Sequence, residues 1–140
     1  LANGGYMLEP KIIKNNFPVD IVRKVANTEK INEIISALKM VVSTGTAASD
    51  EDDFCIFGKT GTAQVWDENE RKYSNSIFIP SFVGVYPCEQ PKLVCAISFY
   101  NPSLEYKWAS SGAVPTVKNV FKKILIKDKD LSIEIANEVE

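Results

Sequence analysis

The chain has 140 residues, of which 45% are apolar and 24% charged, enough for one domain around one buried core. Its net charge is −2 and no long basic run interrupts it, which removes the electrostatic case for a nucleic-acid or polybasic membrane partner. Histidine is absent, which excludes Ser-His-Asp catalysis, Cys-His catalysis and histidine-ligated metal within these residues.

Leu1 to Gly5 reads as a helix end stopped by glycine, and the start at Leu1 looks like a cut inside a longer protein. Tyr6 to Lys14 is extended, with Pro10 suited to an edge, and Asn15 to Pro18 makes a turn. A helix is predicted over Thr28 to Ser43. Ile31, Ile34, Ile35, Leu38, Val41 and Val42 follow the i, i+3, i+4, i+7 rhythm of one buried face, Thr28 suits the N-cap, and Thr44-Gly45 ends the helix. Asp50 to Asp53 is a solvated acidic loop without metal-ligand spacing.

A three-stranded antiparallel meander follows. Its strands are predicted over 54–65, 77–86 and 92–100, with a polar connection from Trp66 to Asn75. A last helix covers Ala113 to Ile126, with Val117, Val120, Phe121, Ile124 and Leu125 facing inward. The tail, 127–140, is charged but alternates Leu131, Ile133 and Ile135, a pattern for a short edge strand or a frayed helix. Cys55, Cys88 and Cys95 lack C-x-x-C spacing and read as structural residues, not as a disulfide framework, redox pair or metal site. No apolar run approaches the ~20 residues that span a bilayer.

Chemistry concentrates in Gly58 to Gln64, Gly-Lys-Thr-Gly-Thr-Ala-Gln, at the end of the apolar run 54–57. On a strand, Lys59 supplies a point cation, Thr60 and Thr62 supply hydroxyls, and Gly61 leaves bare backbone against which a ligand can lie. A bare K-T-G triplet is by itself ordinary strand sequence, so the neighbouring segments decide its reading.

Those segments are Leu1-Ala2-Asn3-Gly4-Gly5, the strand Tyr6 to Ile13, the helix end Val41 to Thr46, Ser81-Phe82-Val83-Gly84, Asn101-Pro102 and Ala113-Val114-Pro115. In their order around Lys59-Thr60-Gly61 they resemble the C-terminal part of the transpeptidase domain of penicillin-binding proteins, class B in type, across about residues 1–126. The resemblance implies an α+β fold, an antiparallel sheet of about three main strands flanked by helices, with 127–140 as a charged tail. It implies a parent D,D-transpeptidase that cross-links peptidoglycan stem peptides through a serine acyl-enzyme, is acylated by β-lactams, and needs no cofactor or metal.

By position, Lys59 would anchor the substrate carboxylate and tune proton transfer, Thr60 and Thr62 would bind that carboxylate, and Gly61 would admit the acyl donor. The Thr62 N–H would form half of an oxyanion hole. The parent would work on the extracytoplasmic face of a bacterial membrane, anchored by a segment outside this chain. Its sheet would continue into the N-terminal half of the domain beside 92–100, leaving an edge open to self-association unless the tail covers it. The chain departs from the family at Ala109-Ser110, where paired glycines are usual. Trp66 either borders the substrate groove or belongs to a plain hairpin, and Tyr106 and Trp108 read as packing residues.

The nucleophile half of the site is not legible. Ser36-Ala37-Leu38-Lys39 spells S-x-x-K, but Ser36 lies roughly 150° from the centre of its helix's apolar stripe and mid-helix, and no S-x-N triplet occurs. The fragment alone is therefore expected to be inert. A β-lactamase or β-lactam sensor domain, or a non-catalytic cell-wall scaffold, are the alternative parents.

Overall fold

The computed structural model describes residues 1–12, 18–48 and 54–137. The turn expected at Asn15 to Pro18 falls largely, and the acidic loop at Asp50 to Asp53 wholly, outside them. The described residues form two compact units, Leu1–Ala37 and Leu38–Glu140. Among them no helix is long and apolar enough to cross a membrane.

In the first unit, β1 (Tyr6–Leu8) pairs antiparallel with β2 (Ile21–Lys24), a strand that its short sequence did not announce. Gly4 and Gly5 have φ of 75° and 90°, the left-handed turn that their sequence suggests. Helix α1 (Thr28–Ser43) has the predicted bounds. Its N-cap is Asn27 rather than Thr28: the Asn27 side-chain oxygen accepts the Lys30 N–H at 3.0 Å. Ile31 is buried, whereas Ile34 of the expected apolar stripe is exposed.

In the second unit, β3 (Phe57–Asp67), β4 (Lys72–Tyr86) and β5 (Leu93–Ser98) form an antiparallel sheet in that order, as expected. The polar connection predicted over 66–75 is mostly strand. Trp66 pairs with Tyr73 and Asp67 with Lys72, so the hairpin runs on to a tight turn over 68–71. Asp67 closes that turn by accepting the Asn69 and Glu70 N–H groups at 2.9 and 3.1 Å. Both faces of this tip are wet, so no apolar alternation marked it as strand.

Helix α2 (Ala113–Lys127) lies against β4 and β5. Ala113, Val114, Val117 and Phe121 form one buried cluster with Phe82, Ile56, Ala47 and Ala109. Val41 and Val42, from the end of α1, pack against the same cluster. Gly84 allows this approach, because a Cβ there would lie 2.8 Å from side-chain atoms of both Phe82 and Val117. Phe54 stacks on Tyr86 with ring centroids 4.1 Å apart.

Of the two forms expected for the tail, edge strand or frayed helix, it takes the helix, α3 (Lys129–Asn137), started by the Asp128 carboxylate, which accepts the Leu131 N–H at 3.0 Å, so it does not cover the β5 edge as a strand. Its apolar residues Leu131 and Ile135 are spaced i, i+4, a helical as well as an alternating pattern. The reading of the cysteines is corrected: Cys55 and Cys88 form a disulfide with Cα atoms 5.3 Å apart, where none was expected. The Cys88 N–H donates to the Cys55 carbonyl at 3.0 Å, so the two cysteines meet just past the paired ends of β3 and β4, one residue out of the Phe57–Val85 register. Cys95 is free and half-buried.

Candidate functional site

Lys59, Thr60, Gly61 and Thr62 lie on β3, an end strand of its sheet, paired with Val83, Phe82, Ser81 and Pro80. The register decides where their backbone points. The Pro80 carbonyl accepts the Phe99 N–H at 3.0 Å and the Phe78 carbonyl accepts the Asn101 N–H at 2.9 Å, so the even-numbered residues of β4 address the β5 side. Their partners on β3, Thr60 and Thr62, are then non-hydrogen-bonded pairs whose N–H and C=O groups point to the open edge. Proline at 80 has no N–H to return to Phe99, and the ladder bond it omits lies just beyond the end of β5 at Ser98.

Side chains alternate in the same way. Thr60 and Thr62 share the face of Phe82, while Lys59 and Gly61 share the other with Val83 and Ser81. The Lys59 ammonium folds along the strand and donates to the Thr60 carbonyl at 2.9 Å, which agrees with an outward-facing carbonyl. A Cβ at Gly61 would meet only the Ser81 hydroxyl, at 2.9 Å, so this backbone is open to an approaching chain. The Thr60 hydroxyl is 2.8 Å from that of Thr46, which arrives from the turn after α1.

These residues line one cleft of about 550 Å³ with Thr46, Trp108, Ala109 and Ser110. All four of the sequence-predicted residues are in it. Among the described residues it holds one cation, no carboxylate and four hydroxyls, Thr46, Thr60, Thr62 and Ser110. That is the donor set for an anion with an extended backbone beside it. Trp108 was expected to pack; instead it is 58% exposed and forms a wall of the cleft. Its place beside Ala109-Ser110, where the chain departs from the expected paired glycines, is the available signal. Tyr106 lies apart, in a smaller cavity with Phe99, Pro102 and Pro115.

The substitution of the usual glycines costs nothing in backbone. Neither Ala109 nor Ser110 has a positive φ, and Ala109 is buried in the core cluster while Ser110 faces the cleft. Trp66 is not a lining residue of this cleft. It packs edge-on against Tyr73 with centroids 5.2 Å apart, which is the plain hairpin alternative.

The S-x-x-K look-alike on α1 is occupied elsewhere. The Ser36 hydroxyl donates to the Asn32 carbonyl one turn back at 2.8 Å, and Lys39 pairs with Glu89 at 2.7 Å. Among the described residues, the one grouping of metal-ligand type is Cys55, Cys88 and Glu89, and its sulfurs are bonded to each other.

An antiparallel sheet whose end strand presents Lys-Thr-Gly-Thr to a hydroxyl-lined cleft, with helix α2 packed behind it, is the α+β arrangement expected of the C-terminal part of a penicillin-binding transpeptidase domain. The comparisons give the family. Residues 1–125 match the penicillin binding protein transpeptidase domain, and the chain belongs to that family. It is 31% identical over 137 residues to Stage V sporulation protein D of Bacillus subtilis (strain 168), covering 89% of this chain and 21% of that protein. It is 29% identical over 104 residues to the peptidoglycan D,D-transpeptidase FtsI homolog of Chlorokybus atmophyticus, covering 74% of this chain and 15% of that protein.

Among solved structures, the fold matches the transpeptidase domain of Burkholderia pseudomallei penicillin-binding protein 3 with a TM-score of 0.74 and 24% identity, over 90% of this chain and 38% of that one. It matches penicillin binding protein 3 of Mycobacterium tuberculosis, complexed with aztreonam, with a TM-score of 0.70 and 22% identity, over 90% of this chain and 32% of that one. The chain thus spans about a fifth of the length of its curated relatives.

Proposed function

We propose that this chain supplies the substrate-binding strand of a serine-type D,D-transpeptidase that cross-links peptidoglycan stem peptides and is acylated by β-lactams. The observation that carries the reading is the cleft itself: a lysine and four hydroxyls beside an open strand edge, in a chain of the penicillin-binding transpeptidase family. Lys59 holds the terminal carboxylate of the donor peptide and tunes proton transfer, and the Thr60 and Thr62 hydroxyls share that carboxylate. The Thr62 N–H, pointing out of the edge, donates to the oxyanion that develops on the attacked carbonyl. Gly61 leaves room for the donor backbone to lie along β3. The nucleophilic serine comes from the preceding half of the domain.

That half is also the chain's first partner. The outer edge of β5 carries no strand among the described residues, and Val83 and Val94 stand 45% and 63% exposed on the face away from α2. The sheet continues there in the intact domain, and in the isolated chain the same edge is a template for a second copy. The protein works on the outer face of the cell membrane, held by a segment beyond these residues.

The test is labelling with a fluorescent penicillin. The full-length protein is expected to take up one stable label per chain, the Lys59→Ala variant to label at least tenfold more slowly (about 1.4 kcal/mol of lost charged hydrogen bonding), and the 140-residue chain not at all. Rapid release of hydrolysed penicillin would make the parent a β-lactamase. Absence of any label on the full-length protein would make it a scaffold and end the enzymatic reading.

A further inference from the structure

We propose that Thr46 is a positioning residue for this site: it fixes the Thr60 side chain and sets the direction in which the Thr60 hydroxyl donates. The inference rests on the reading of the cleft as a carboxylate site. The two hydroxyl oxygens are 2.8 Å apart, a hydrogen bond that either can donate. Each hydroxyl has one proton to give. If Thr60 gives its proton to Thr46, it has none for a ligand. If Thr46 gives its proton to Thr60, the Thr60 proton is free.

A carboxylate accepts only, so an anion in the cleft selects the second arrangement. The result is a relay in which Thr46 donates to Thr60 and Thr60 donates to the ligand, each bond polarising the next. Valine at 46 would keep the shape and delete the relay. Serine would keep the relay.

Thr46 can serve in this way because the turn that carries it is anchored on both sides. The Gly45 N–H donates to the Met40 carbonyl and the Ala47 N–H to the Val41 carbonyl, both at 2.9 Å, so the turn is wrapped onto the last turn of α1. Ala47 is fully buried in the core cluster, next to a residue whose own side chain faces the open cleft. Gly45 is required by this wrapping, since a Cβ there would lie 2.9 Å from the Val41 Cα. The Lys39–Glu89 pair joins the same end of α1 to the turn after β4. The helix end thus delivers a hydroxyl to the strand from a fixed point.

The experiment uses the 140-residue chain with Thr46→Val, Thr46→Ser and, as a variant that moves the turn without touching either hydroxyl, Gly45→Ala. Two readouts are taken by NMR. Three-bond couplings of the Thr60 methyl carbon report its χ1 rotamer without any ligand. Shift titration with N-acetyl-D-alanyl-D-alanine reports affinity for a terminal carboxylate.

Thr60 is expected to hold one rotamer in the wild type and in Thr46→Ser, and to average in Thr46→Val and Gly45→Ala. Affinity is expected to fall about tenfold in Thr46→Val, the scale of one lost hydrogen bond in a charged relay, with serine restoring it to within about twofold. A single Thr60 rotamer in Thr46→Val, or averaging with unchanged affinity, overturns the proposal. If the wild-type chain binds no dipeptide while Lys59→Ala is equally silent, the carboxylate reading fails instead, and the couplings still decide whether Thr46 positions Thr60.

Discussion

Two segments of this chain use the same chemical alphabet, a lysine beside hydroxyl-bearing residues, and only one forms a cleft. On β3, Lys59 sits at a sheet edge and donates to the Thr60 carbonyl, in a cleft that Thr46 and Trp108 also line. On α1, Ser36 spends its proton on its own helix backbone and Lys39 is drawn to Glu89. A strand edge leaves backbone groups without partners, whereas a helix interior satisfies its own and offers a ligand only side chains. What separates the two is thus less the residues than the unpaired backbone beside them.

The largest effect that sharpens this contrast concerns what holds β3. The Cys55–Cys88 bond closes a loop with a sequence separation of 33, which contains the whole β3–β4 hairpin and therefore the Lys59 site but not the Ser36 segment. Loop-closure entropy on this scale is worth about 3–4 kcal/mol. Thermal or urea unfolding of the chain with and without a reducing agent should show a loss of that order. The Cys55→Ala/Cys88→Ala double variant should match the reduced protein and no longer respond to reductant. Equal midpoints in both conditions would show that the hairpin is held by pairing and the Phe82–Phe121 core alone.

Next come the two lysines. Lys59→Ala should lower affinity for a D-alanyl carboxylate by tenfold or more, since it removes a charge-assisted contact worth about 1.5–3 kcal/mol, and should leave stability nearly unchanged because the side chain is exposed. Lys39→Ala should lower affinity far less than Lys59→Ala, because its pair with Glu89 is only one of the anchors of the Thr46 turn, and should lower stability by less than about 1 kcal/mol, as for a partly exposed ion pair. Intact-mass analysis after incubation with penicillin completes the pair. No adduct is expected on the wild-type chain or on Ser36→Ala, and an adduct lost in that variant would return the helix motif to the active site.

How far the sequence alone reached follows the same line. The sheet, α1 and α2 were legible because their apolar periodicities are strong, and β3 could be singled out because Lys59, Thr60, Gly61 and Thr62 are consecutive. The hairpin tip was not legible, because a strand wet on both faces has no alternation to read. Trp108, Ser110 and Thr46 reach the cleft from 13 or more residues away, and only the fold brings them there. The disulfide was hidden for a related reason: Cys55 and Cys88 are brought together only by the pairing of β3 with β4, whose ends they follow.

The smallest expected effect tests the core behind the cleft. Burial raises the Tyr86 hydroxyl above its ordinary value of 10.0, and its ring forms a triangular cluster with those of Phe54 and Phe121, with centroids 4.1 and 5.8 Å away. The unfolded chain therefore gives up this proton at a lower pH than the folded one. Stability from keeping Tyr86 neutral is present in full below about pH 10 and is lost as pH rises toward the raised folded value. Phenylalanine at 86 keeps the stack and has no proton to lose, so the alkaline decline in unfolding midpoint should be shallower in Tyr86→Phe, with little difference at pH 7. Tyr73, exposed at the hairpin tip, supplies the control. Tyr73→Phe should leave the slope as it was, and equal flattening by both variants would mean that the decline follows net charge rather than the buried ring.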